Sequence, residues 1–221
     1  MHHTLNNLIE IQDKIKLKIT QLKLLNYNPN IIAVSKTFSD QAIIPLLDYG
    51  HVDFGENKVQ EALQKWDSIK KKYNNIKLHM LGKLQTNKVK HAVEIFDYIH
   101  SLDNLKLANK LAEEISKKGK NIKIFIQVNL GDEMQKSGIH PSELETFYKN
   151  CCLLKLNIIG TMCIPPENSD ATIYFKNLLN LTKKIGLNEI SMGMTNDYLE
   201  ALEYESTFLR IGTGIFGKRT N

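Results

Sequence analysis

Eight short apolar runs, each separated from the next by a helical pattern, constrain this chain more than any other feature. They occupy residues 31–35, 52–55, 76–81, 98–101, 122–129, 156–163, 189–192 and 208–212. A strand buried on both faces reads as a continuous apolar run, because helices cover one side of the sheet and neighbouring strands fill the other. Eight such strands alternating with helices predict an α/β chain whose parallel sheet closes into a (β/α)8 barrel. Between Leu5 and Leu25 apolar residues recur at mostly helical spacing, so residues 4–25 predict an extra N-terminal helix, broken by Asn26, Asn28, Pro29 and Asn30. Ser39-Asp40, Thr86-Asn87, Pro141-Ser142 and Ser169-Asp170 mark helix starts, and Gly50, Gly119 and Gly186 mark helix ends. No Pro/Gly-rich linker interrupts the alternation, and 221 residues suit one barrel, so residues 1–221 are expected to form a single domain.

In such a barrel the chemistry sits in the loops that follow the strands. The first run ends in Ser35-Lys36 and the second in Gly55-Glu56-Asn57. Gly82, Gln85 and Asn87 follow the third run, Ser101 and Asp103 the fourth, Asn129 and Asp132 the fifth, and Cys163 and Pro165 the sixth. The seventh gives Ser191-Met192-Gly193 and the eighth Arg210-Ile211-Gly212-Thr213-Gly214. A lysine projecting into a dry cavity loses ammonium stabilisation, and its neutral amine attacks carbonyls. Phosphate sites in these barrels often use the last two loops, where Gly193, Gly212 and Gly214 allow close backbone approach and Ser191 and Thr213 offer hydroxyls. An amine and a phosphate site at one mouth suit pyridoxal phosphate, which carries both an aldehyde and a phosphate.

Composition removes several other classes. The net charge is +5, and of 29 basic residues only Arg210 and Arg219 are arginine, the residue that dominates bidentate phosphate and base recognition. No nucleic-acid partner is expected. The first residues mix charges throughout, so neither a signal peptide nor a membrane span is expected. Three cysteines, Cys151, Cys152 and Cys163, do not pair evenly, which suits a reducing, cytoplasmic compartment. The His2-His3 pair has no further ligand at metal-site spacing, so no metal is expected.

Eight ordered motifs then carry a family resemblance: AVSKT, FGENKVQEALQK, HMLGKLQTNK, HSLDNLKLANKL, IFIQVNLGDEMQKSGI, IIGTMCI, ISMGMTNDY and FLRIGTGIFGKR. Together they resemble the pyridoxal-phosphate homeostasis protein family, TIM barrels similar to the N-terminal domain of alanine racemase, over roughly residues 5–219. The resemblance implies that Lys36 is the Schiff-base lysine, that Asn57 lies beside the cofactor's ring oxygen and that Arg210 faces the pyridine nitrogen. It further implies that Ser191, Gly193, Gly212 and Thr213 surround the phosphate. Lys58 stands where an aromatic is common, Glu205 where glycine is usual and Gly214 where alanine is usual. The segment PPENSDAT lacks an arginine often found there.

The chemistry implied is that of a carrier. Guanidinium only donates hydrogen bonds, so a ring nitrogen facing it is an unprotonated acceptor and the ring a weak electron sink. Racemisation also needs an acid or base on the opposite face, which the resembled racemases draw from a second domain or subunit, and this chain stops at Asn221. Tyr98, Tyr198, Cys163 and His100 are candidate substitutes, each more simply read as packing. The expectation is a non-catalytic, monomeric regulator of the intracellular pyridoxal 5'-phosphate pool, with apo-enzymes dependent on that cofactor as recipients. The alternatives are a narrow or vestigial amino-acid racemase or lyase, and a phosphate-metabolite barrel enzyme that forms no Schiff base.

Overall fold

The computed structural model describes residues 2–131, 133 and 137–218, so Asp132 and Arg219 lie outside the described residues. Strands β1 (Asn30–Val34), β2 (Asp53–Glu56), β3 (Lys77–Met80), β4 (Tyr98–Leu102), β5 (Lys123–Gln127), β6 (Ile158–Met162), β7 (Glu189–Met194) and β8 (Phe208–Ile211) pair in parallel and in chain order. The barrel closes where β8 meets β1, with Ile32 opposite Arg210. The predicted runs at the fifth and sixth strands are longer than β5 and β6 because Ile122, Val128, Leu156 and Cys163, just beyond the strand ends, are also buried.

Around the barrel stand α1 (His3–Gln21), α2 (Asp40–Asp48), α3 (Val59–Lys72), α4 (Val89–Ile95), α5 (Leu105–Lys118), α6 (Leu144–Leu153), α7 (Ala171–Lys184), α8 (Tyr198–Leu202) and α9 (Thr213–Phe216). The extra helix is present and buries Leu8, Ile11 and Ile15 beside α2, α8 and α9. It ends before residue 25, because Lys23 turns to φ 55° and Leu25, at 92% exposed, finds nothing to pack against. Asp170 Oδ1 caps α7 by accepting from Thr172 N at 3.0 Å, as its sequence position predicts. Glu205, where glycine is usual, has φ 59°, a left-handed value that glycine adopts without strain. Its carboxylate is held by Lys183 at 2.9 Å.

Strand alternation divides the core in two. Ala33, Ile99, Leu209 and Ile211 face the helices, whereas Ile32, Val34, Tyr98, Phe125, Met162 and Phe208 pack together inside the barrel. The inner positions also hold buried polar groups, His79, His100, Ser191 and Arg210. Among the described residues no helix is long and apolar enough to cross a membrane, and no cluster of His, Cys, Asp and Glu has metal-site geometry.

Candidate functional site

Lys36 leaves the end of β1 on a tight turn. Phe38 N donates to Ser35 O at 3.1 Å, and Thr37 takes φ 68°, the positive value a type II turn requires at its third residue. A charged cluster between the barrel and α3 holds this turn from outside. Glu56 at the end of β2 is fully buried, and its Oε1 accepts from Ser35 Oγ at 2.8 Å, Lys65 Nζ at 2.9 Å and Trp66 Nε1 at 3.1 Å. Lys65 also donates to Ser35 O at 2.8 Å, one residue before Lys36. Glu56 Oε2 has no hydrogen-bond partner among the described residues. The pair Lys65–Glu56 is 9% and 0% exposed, and Lys65 also reaches Glu61 Oε1 at 3.3 Å, so removing Lys65 strands the Glu56 carboxylate, whereas removing Glu56 leaves Lys65 with Glu61.

Asn57 follows Glu56 and is crossed closely by the loop after β3. A Cβ on Gly82 would lie 2.4 Å from Asn57 O, so only glycine lets the two backbones pass. On β8, next to β1 where the barrel closes, Arg210, 5% exposed, is fixed through both terminal nitrogens: Nη1 donates to Ser191 Oγ and Nη2 to Cys163 O, each at 2.8 Å. Gly212 caps the short α9, and a Cβ there would meet Val34 alone, at ordinary contact distance. Thr213 Oγ1 donates to Thr195 Oγ1 at 3.2 Å, which also accepts from Gly214 N at 3.1 Å, tying the last two loops together. Gly214 itself is tightly enclosed, since a Cβ would stand 3.0 Å from Ile211 Cγ2.

Lys36, Asn57, Arg210, Gly212 and Thr213 line one cavity of about 780 Å³ at the C-terminal mouth of the barrel. Ser191 and Gly193 are not among its lining residues. Ser191 is fully buried behind Arg210, and Gly193, at φ 87°, forms a bulge where three residues of β7 span two of β8. A Cβ on Gly193 would meet Ala201 Cβ at 2.7 Å, so close packing against α8 is what requires glycine there. The bulge turns the end of β7 so that Met194, Thr195 and Asp197 form part of the cavity wall. Asp197 Oδ1 accepts from Met194 N at 2.5 Å, and burial raises its carboxyl above the usual range. The sequence reading missed Thr195 and Asp197; their only signal is the polar stretch TND just after the seventh run.

The four acid–base candidates stand elsewhere. None of Tyr98, Tyr198, Cys163 and His100 is among the cavity's lining residues. Burial pushes the Cys163 thiol up to about 12, which leaves it un-ionised at neutral pH. Tyr98 is stacked on His79 inside the barrel, centroids 4.2 Å apart.

The donor set fits a small molecule carrying an aldehyde and an anion: one lysine amine, one fixed guanidinium, and a threonine- and glycine-bearing loop in the same cavity. Residues 12–220 match the family model of the alanine racemase N-terminal domain. The pyridoxal phosphate homeostasis protein of Pasteurella multocida is 35% identical over 96% of each chain. That of Escherichia coli is 32% identical over 99% of this chain and 98% of its own length. Among solved structures, PipY of Synechococcus elongatus with PLP bound superposes with a TM-score of 0.81 at 32% identity, covering 92% of this chain and all of that one. An alanine racemase of Clostridium difficile, at 14% identity and a TM-score of 0.67, shares the fold over 58% of its chain.

Proposed function

Because this chain belongs to the pyridoxal phosphate homeostasis proteins of the alanine racemase N-terminal domain family, we propose that it binds pyridoxal 5'-phosphate as a Schiff base on Lys36 and acts as a carrier and regulator of that cofactor rather than as an enzyme. The observation that carries this reading is the shared cavity, lined by Lys36 after β1 and by Arg210 on the neighbouring β8. When bound, the cofactor supplies an aldehyde that condenses reversibly with amines. Lys36 supplies the amine, on a turn held by the Glu56–Lys65 cluster. Arg210 supplies a donor to the ring nitrogen and, because a guanidinium keeps its protons, never a proton to hold there. Without that proton the ring withdraws electrons weakly, so carbanion chemistry at a bound amino acid is slow. Thr213 and the backbone of Gly212 receive the phosphate, Asn57 sits beside the ring oxygen, and Ser191 and Gly193 serve the site by setting Arg210 and the β7 loop. The chain is read as a monomer acting inside the cell, with cofactor-dependent apo-enzymes as recipients.

The test mixes cofactor-loaded protein with an apo-transaminase in the presence of a scavenger for free cofactor. Recovered transaminase activity that survives the scavenger is the expected result, and none would reduce the role to storage. Rapid racemisation of any amino acid by the loaded protein would overturn the non-enzymatic reading.

A further inference from the structure

Below the cavity, five side chains from five strands form one continuous hydrogen-bonded chain through the barrel. Asp53 Oδ1 lies 3.0 Å from His79 Nε2, and His79 Nδ1 lies 3.0 Å from His100 Nε2. His100 Nδ1 is 2.9 Å from Ser191 Oγ, which accepts from Arg210 Nη1 at 2.8 Å. Both histidines and Ser191 are fully buried. Aromatic rings fix the imidazole planes: Tyr98 stacks on His79 and Phe125 on His100, at 4.2 and 4.3 Å between centroids.

The Asp53 end dictates where every proton sits. An ionised carboxylate has only acceptors, so His79 Nε2–H donates to Asp53 and leaves His79 Nδ1 as an acceptor. His100 then carries its proton on Nε2 and donates to His79 Nδ1, and His100 Nδ1 accepts from the Ser191 hydroxyl. A guanidinium has only donors, so Arg210 Nη1 donates to Ser191 Oγ and the series ends without a conflict. Burial holds both imidazoles below their ordinary titration range, in keeping with one proton per ring. Burial opposes the charge on Asp53, yet the His79 hydrogen bond and nearby cations hold its carboxyl below the usual range.

We infer that Asp53, at the opposite end of the barrel from the cavity, is a positioning residue for Arg210: its carboxylate sets the direction of the chain, which commits the Ser191 proton to His100 and leaves the oxygen to hold the guanidinium in one orientation toward the cavity. Arg210 releases no proton at its end, so the chain is a strut and not a proton path. Without Asp53 both rings are free to take the opposite tautomer. Ser191 would then accept from His100 as well as from Arg210, and its own proton would lose the partner it now has.

The consequence for cofactor binding rests on the function proposed above; the chain itself does not, and the primary test uses protein without cofactor. Long-range ¹H–¹⁵N correlation spectra of the histidine rings should show His79 and His100 both protonated on Nε2 at neutral pH, and Nδ1–H on either ring would overturn the inference. In Asp53→Ala the Nε2–H signature should be lost or mixed with the other tautomer at one or both rings. Unchanged tautomers in that folded variant would equally overturn it. In loaded Asp53→Ala, whose Lys36 and Arg210 are intact, cofactor affinity should fall roughly two- to tenfold, the loss of about one hydrogen bond. If the tautomers follow prediction but no imine forms at Lys36, the functional reading fails while the strut stands.

Discussion

Two neighbouring parts of the cavity lining, Lys36 after β1 and Arg210 on β8, are held by opposite means. Lys36 is placed by its backbone: a turn with Thr37 at φ 68° sits at a strand end, gripped from outside the barrel by an ion pair and a tryptophan. Arg210 is placed by its own side chain, within a strand, with both terminal nitrogens occupied inside the barrel by Ser191 and Cys163. The group proposed to form and break a bond thus stands on a supported turn, while the group proposed to set ring electronics is locked. A carrier needs that division, because its amine must exchange and its electrostatics must not change when it does.

The comparison breaks most readily at Glu56. Glu56→Ala leaves Lys65 with Glu61 as its one remaining carboxylate and Trp66 Nε1 without its acceptor, and should cost up to about 3–5 kcal/mol, the loss when a buried ion pair is broken outright. Urea denaturation measures it. Imine formation with added cofactor should also slow, while the tautomers of His79 and His100 stay as they are; a loss below about 1 kcal/mol would mean that the cluster does not hold the Lys36 wall.

Acid acts through the Arg210 side. His79 and His100 are held neutral by burial, so their folded affinity for protons lies below that of the unfolded chain. Their stabilising contribution is complete above the unfolded value of about 6.5 and is lost as pH falls below it, because only the unfolded rings then take up protons. Each ring adds a slope of about 1.4 kcal/mol per pH unit until it protonates in the folded state. Denaturation midpoints at pH 7.5 and 5.5 check this, and equal stability at the two would contradict the neutral, buried chain.

The strands were legible because a parallel barrel makes each of them an unbroken apolar run, and Lys36 and Arg210 were legible because they stand at the first and last of those runs. The supports were not. His79 and His100 look like isolated polar residues in strands until alternation turns them inward onto each other. From sequence Ser191 is expected at the phosphate; in the closed barrel its hydroxyl lies behind the guanidinium and accepts from Arg210. The pattern carries the N-terminal helix to residue 25 because Leu22 and Leu25 continue its apolar periodicity; Leu22, the C-cap, still packs partly against the core, whereas Leu25 is 92% exposed beyond the turn at Lys23.

A smaller effect sharpens the Arg210 wall. Arg210→Glu replaces a permanent donor with an acceptor, and the unpaired Cys163 O alone costs about 1–3 kcal/mol, before the desolvation of the new carboxylate. If Arg210 faces the ring nitrogen, the substitution should also shift the absorption of bound cofactor and raise any slow reaction with amino acids. An unchanged spectrum and unchanged reactivity would place the guanidinium away from the ring.

The central claim, a covalent cofactor site at Lys36, is tested most directly by reducing cofactor-loaded protein with borohydride and mapping the added mass by peptide mass spectrometry. One cofactor mass is expected on the peptide containing Lys36 and none on that peptide in Lys36→Ala, which should keep weak phosphate-dependent binding through the Gly212–Thr213 loop. Labelling mainly on another lysine, or none in protein that binds the cofactor, would contradict it.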